Sequence, residues 1–94
     1  MTRKKAKRLK AISPGDLLWH EFMAPLGLTR YRLAKEISVP AQRIGDIING
    51  KRSITADTDL RLSKFFGLSN GYWLRAQAIH DLEVAEYKIK VALK

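Results

Sequence analysis

Thr29 to Arg52 reads TRYRLAKEISVPAQRIGDIINGKR, and this stretch decides the fold. Thr29 reads as a helix N-cap, and Leu33, Ala34 and Ile37 recur on one helical face behind it. Ser38-Val39 supplies a turn. A second helix is predicted to open at Pro40, whose fixed φ suits a first helical turn and whose missing N–H is not needed there. It is predicted to stop at Asn49-Gly50. Ile44, Ile47 and Ile48 share one face of that helix, while Gln42, Arg43, Asp46 and Asn49 fall on the other. One face packs and the other is free to read something. Two short helices, a tight turn and a basic loop are the layout of a helix-turn-helix DNA-reading unit.

Working outward, the pattern predicts an all-α domain of five helices. The first follows Ser13-Pro14-Gly15, with Asp16 in its opening turn, Leu18 and Phe22 at i and i+4, and Pro25 and Gly27 closing it. Thr55 is expected to cap a fourth helix through Phe66, with Leu62, Phe65 and Phe66 as apolar bulk before Gly67. Ser69 is expected to cap a fifth, containing Trp73, Leu74, Ala78 and Leu82 at helical spacing. Helices this short need one another for stability. The domain is expected to span residues 12–85, between a basic, flexible arm at 1–11 and a tail at 86–94.

The tail admits two readings. Tyr87, Ile89, Val91 and Leu93 alternate with Lys88, Lys90, Ala92 and Lys94, the period of a half-buried strand. Leu82, Ala85, Ile89 and Leu93 also fit a continuing helix, and either way they lack an obvious intrachain partner, which points to a subunit or partner contact, with a frayed, solvent-exposed terminus as the alternative.

The 94 residues allow one domain, and without cysteine neither disulfides nor thiolate metal sites are available. No apolar run approaches the roughly 20 residues needed to cross a bilayer, so no membrane contact is expected. No apolar signal-peptide core follows the basic start, and a cytoplasmic location is the expectation. The net charge of +9 is unevenly spread: Met1 to Lys10 carries six basic and no acidic residues, and Thr29 to Arg52 carries six basic and two acidic. The remainder is close to neutral. Clusters of this kind suit phosphate, since each neutralised phosphate releases counterions.

Other residues carry no chemistry of their own. His20 and His80 are too few and too far apart for a metal site, so neither metal nor other cofactor is expected. Asp57 follows the expected cap at Thr55, where a carboxylate favours the helix dipole, and it is not read as an acid pair with Asp59. With no serine, histidine and carboxylate grouping, no catalytic residue is assigned and an enzyme is not expected. Trp19, Tyr72 and Trp73 are read as core or groove-lining aromatics.

The segments Ile12-Ser-Pro-Gly-Asp-Leu-Leu, Glu21-Phe-Met-Ala-Pro-Leu-Gly-Leu, Tyr31-Arg-Leu-Ala-Lys, Val39-Pro-Ala-Gln-Arg-Ile, Asn49-Gly-Lys-Arg-Ser-Ile-Thr-Ala-Asp-Thr, Leu60-Arg-Leu, Phe66-Gly and Tyr72-Trp-Leu-Arg-Ala-Gln together resemble the HigA-type antitoxins. These are a branch of the bacterial lambda-repressor-like (XRE) regulators, and the resemblance covers about Ala11 to Ala85. It implies a five-helix lambda-repressor-like domain, a homodimer on a palindromic double-stranded DNA operator, and a HigB-type toxin partner, an mRNA-cleaving ribonuclease of the RelE-like class that the antitoxin inhibits. The chain departs from the pattern at Ser38, where the family often has glycine, at Gly45 inside the reading helix, and at Asn70-Gly71. Because Gly45 borders the reading face, the operator of a relative does not transfer.

Side-chain chemistry sorts the reading unit. Gln42 can bond adenine with both ends of its amide, Arg43 can clasp guanine O6 and N7, and Ala41 can touch a thymine methyl. Asp46 can accept from a cytosine amine or hold Arg43 in place. Thr29, Arg30 and Arg32 before this helix, and Asn49, Lys51 and Arg52 beyond it, are placed for phosphates. The basic arm has three open readings: a groove or phosphate contact, a wrap around an acidic toxin, or a solubility tail. A free-standing repressor without toxin is the nearest alternative for the whole chain. An RNA-associated basic protein is more distant, since single-strand aromatic motifs are absent.

Overall fold

A computed structural model describes residues 12–93. The basic arm at 1–11 therefore lies outside the described residues. Five helices follow one another without strands among those described: α1 (residues 14–26), α2 (Arg30–Ile37), α3 (Ala41–Ile48), α4 (Ala56–Phe66) and α5 (Tyr72–Ala92). Within α1 the Pro14–Leu17 turn is α-helical, Leu18–Met23 widens to a π-helix, and Ala24–Leu26 closes as α.

Local chemistry explains each boundary. Asp16 donates its backbone N–H to Ser13 Oγ at 3.1 Å, Arg32 donates to Thr29 Oγ1 at 3.0 Å, and Thr58 donates to Thr55 Oγ1 at 3.4 Å, so three hydroxyl caps open α1, α2 and α4. Left-handed residues close the same helices: Gly27 at φ 66°, Ser38 at φ 60° and Gly67 at φ 72°. In each case the next N–H folds back on the helix, Leu28 to Met23 O at 2.9 Å, Val39 to Ala34 O at 3.0 Å and Leu68 to Ser63 O at 2.8 Å. Ser38 is the one non-glycine residue with positive φ among those described, and the tight turn of the helix-turn-helix is formed at that cost.

Two boundaries differ from the sequence reading. Pro40 is the N-cap of α3 and not its first helical residue, since its ψ of 143° is extended. α5 begins after Gly71, at φ 91°, and Ser69 does not cap it. The capping group comes instead from α4: the side-chain oxygens of Asp59 accept from the backbone N–H of Gly71 at 2.7 Å, Trp73 at 2.7 Å and Leu74 at 3.1 Å. Asp59 is buried, and α4 and α5 are thus joined through one side chain that answers the orphan donors of a helix start.

The core is drawn from all five helices and the loop before α4: Leu18, Met23, Leu33, Ala34, Ile37, Ile44, Ile47, Ile54, Leu62 and Trp73. Phe22 bridges to it, its ring centroid 4.9 Å from Phe66 and 5.0 Å from Trp73. Gly15 sets how closely α1 meets α3, because a Cβ there would collide with the Ile47 carbonyl oxygen and lie 2.8 Å from that of Ile48. Residues 86–92 are helical and continue α5 without a break. No helix among the described residues is long and apolar enough to cross a membrane.

Candidate nucleic-acid interface

α2 and α3 meet through the Ser38-Val39-Pro40 turn, and α3 is anchored by the buried Ile44 and Ile47 on its inner face. With that face committed, Gln42 and Asn49 are exposed and Arg43 and Asp46 are half-buried, whereas Ala41, three residues before Ile44, packs against the core and not along the outer side. Gln42 sits on the first turn, where a helix entering a groove presents its side chains to base edges.

Arg43 is not free. Its Nη1 donates to Asp57 Oδ2 at 3.1 Å, and its side chain is 23% exposed, while Arg32 on α2 is 65% exposed. The carboxylate that pairs with Arg43 is therefore Asp57 on α4, and not Asp46 on its own helix. Asp57 is shared, since Arg61 Nε also donates to it at 3.0 Å. The hydrogen bond from Arg61, assisted by the charges of Arg61 and Arg43, holds the Asp57 carboxyl below the usual carboxylate range.

The residues assigned to phosphate divide by what already engages them. Thr29, Arg30 and Arg32 are exposed at the start of α2, and the Thr29 hydroxyl accepts from Arg32 N–H as the cap. Arg32 pairs with Glu36 at 2.8 Å on the surface, an i,i+4 contact weak enough to exchange for a phosphate. Arg30 lies over the Tyr31 ring, 5.1 Å from its centroid, and reaches across to α3. A Cβ on Gly45 would come within 2.9 Å of Arg30 Nη1, so Gly45, one helical turn from the exposed Gln42 and Asn49, is buried where α2 meets the edge of the reading face. Its missing side chain makes room for Arg30.

Lys51 and Arg52 are exposed in the loop that leaves α3. That loop is held in place at both ends: Lys51 N–H donates to Asp46 O at 2.8 Å, and Ile54 is buried with its N–H on Gln77 Oε1 at 3.0 Å. The remaining assigned residues, Leu82, Ala85, Ile89 and Leu93, lie far along α5 and are all exposed. They line one stripe, with Trp73, His80 and Val84 buried or half-buried on the opposite side. Sequence reasoning missed Asp57 and Arg61 as companions of Arg43. Their i,i+4 spacing on α4 was the available signal, but only the long-range bond from Arg43 Nη1 to Asp57 Oδ2 identifies the third member.

Residues 20–73 match the helix-turn-helix family model HTH_3. The chain is 44% identical over 78 residues to virulence-associated protein I of Dichelobacter nodosus, covering 83% of this chain and 72% of that protein. It superposes with a TM-score of 0.81 on an addiction module antidote protein of the HigA family from Coxiella burnetii, at 39% identity and covering 89% of this chain and 91% of the other. The Pseudomonas aeruginosa antitoxin HigA, solved with the higBA promoter, superposes with the same TM-score at 28% identity and covers the same shares.

Proposed function

The chain belongs to the helix-turn-helix family and groups within it with the HigA antitoxins, a class of DNA-binding regulators and not of enzymes; on that premise we propose that it represses its own operon by sequence-specific DNA binding and neutralises a RelE-like, mRNA-cleaving toxin of the HigB type by binding it. The observation that carries the DNA half is the first turn of α3, where Gln42 is exposed, braced from behind by Ile44 and Ile47 and bordered by the cations of α2 and of the loop that leaves α3. Gln42, Arg43, Ala41 and Asp46 read base edges, and Thr29, Arg30, Arg32, Asn49, Lys51 and Arg52 hold the backbone. The toxin half is supported by the likeness to HigA antitoxins over nine-tenths of their solved chains.

The functional unit is a homodimer on a palindromic operator, formed through Leu82, Ala85, Ile89 and Leu93. Supporting this is the charge order along α5. Asp81 and Glu83 precede the middle of the stripe, and Lys88 and Lys90 follow it. Two copies paired antiparallel set Leu82 of one against Ile89 of the other, with Asp81 facing Lys88 on one flank and Glu83 facing Lys90 on the other. A parallel pair would oppose like charges.

Two substitutions test the DNA reading. Arg43→Ala is expected to cost about 1–3 kcal/mol and relax preference at one base pair, whereas Lys51→Ala weakens all duplexes about equally and lowers the salt slope by about one. Equal losses on selected and random duplexes for Arg43→Ala would remove it from the base readers. For the toxin, co-expression with a small RelE-like reading frame adjoining the gene is expected to yield a co-purifying complex and rescue growth. If no adjoining product binds while the operator is still recognised, the chain is a stand-alone repressor.

A further inference from the structure

Asp57 lies outside the helix-turn-helix unit, in the first turn of α4, yet it is the side chain that Arg43 touches. The contact is one link in a chain. Arg61 Nη1 donates to the carbonyl oxygen of Ile37, the last residue of α2, at 2.8 Å, and Arg61 Nε donates to Asp57 Oδ2 at 3.0 Å. Asp57 Oδ2 in turn accepts from Arg43 Nη1 at 3.1 Å, on the first turn of α3. The end of α2 is thus tied through α4 to the start of the reading helix. Among the described residues Arg43 Nε is buried without a partner, so the bond to Asp57 is the polar contact that fixes the guanidinium.

We infer that Asp57 is a positioning residue for sequence readout: anchored by Arg61, it holds the Arg43 guanidinium in place before DNA arrives. This rests on the reading of Arg43 as a base contact. A long, flexible side chain that must order on binding subtracts its rotamer entropy from the affinity, and one already ordered does not. Two-pronged recognition of guanine also requires the planar guanidinium at a set orientation, which a free arginine visits only part of the time. Arg61 makes the carboxylate a fixed post, because its other donor is tied to backbone. The three side chains together carry one net positive charge, so the post does not repel the phosphates around it.

The inference separates two quantities that a merely electrostatic role would move together. Asp57→Asn keeps the shape and removes the charge. Against a duplex selected by the wild-type protein from a random-sequence pool, the ratio of selected to random affinity is expected to fall roughly 3- to 10-fold, the scale of one long side chain's ordering entropy. Affinity for random duplex is expected to hold or rise, since a negative charge near the phosphates is gone. Arg61→Gln, which frees the post from its other side, should lower the ratio in the same direction by less. Thermal melts check that both variants are folded, as expected for an exposed ion-pair network. Arg43→Ala is measured alongside. If it lowers the ratio and Asp57→Asn leaves it unchanged or raises it, Asp57 is not a positioning residue and Arg43 remains a reader. If Arg43→Ala itself leaves the ratio unchanged, the base-contact reading fails and the inference fails with it.

Discussion

The two halves of α5 are built from similar residues and live in different worlds. In the first half Trp73 is fully buried, Gln77 receives the backbone of the loop before α4, and Asp59 binds three N–H groups around the first turn. From residue 85 to 93 every residue is exposed, with Ile89 at 57% and Leu93 at 78%. Leu62 and Leu82 are the same side chain, one at 0% and one at 70% exposure. What differs is whether the fold supplies an opposing element. Apolar periodicity therefore reports which surface wants cover, and the rest of the chain decides whether cover comes from within.

The sharpest way to break that contrast is at the start of the buried half, where α4 holds α5. Asp59→Ala removes the acceptor for three backbone donors at a buried helix start, and uncapped donors cost about 1–3 kcal/mol each when little water reaches them. A loss of about 3–5 kcal/mol is expected in urea titration, a large part of the total for a domain this size. Loss below about 1 kcal/mol would mean that packing around Trp73 holds α5 without the cap. Next in size is Gly15→Ala. The atoms its Cβ meets are backbone carbonyls of Ile47 and Ile48, which cannot swing aside, so α1 must shift off the end of α3 at about 1–3 kcal/mol. The expected readout is a lower urea midpoint together with weaker DNA binding, because the displaced helix end belongs to the reading helix.

How much of this was legible follows the range of the interaction. The caps at Thr29 and Thr55, the stops at Gly27 and Gly67, and the inner face of α3 were all readable, because each depends on neighbours within a turn or two. Pro40 was misplaced by one residue: the same fixed φ serves an N-cap and a first helical position, and only ψ tells them apart. Ser69 looked like a cap because serine usually is one, whereas the true capping group, Asp59, sits on another helix. The room that Gly45 leaves for Arg30 is out of local reach in the same way, since Arg30 arrives from α2. In the site, the outward placement of Gln42 and Asn49 followed from helical spacing. The tie from Arg43 to Asp57 spans 14 residues and two helices, and no local pattern encodes it.

The exposed half of α5 gives the smallest effect on the isolated fold and the test on which the contrast finally turns. Leu82→Asp combined with Ile89→Asp changes two exposed positions outside the buried core, so the stability of the single chain should move by no more than about 0.5 kcal/mol per site. In sedimentation, the wild type is expected to run as a dimer and the same double variant as a monomer. Reversing Lys88 and Lys90 to Glu should weaken the dimer most at low salt, because these flanking charges are screened within about 10 Å at 0.1 M. Adding Asp81→Lys and Glu83→Lys to that variant restores opposite charges on both flanks of an antiparallel pair, and self-association should return. Failure of the restored variant to associate would rule out the antiparallel register. A double aspartate variant that instead unfolds would show that this half of α5 is covered by its own chain, and the difference between the two halves would disappear.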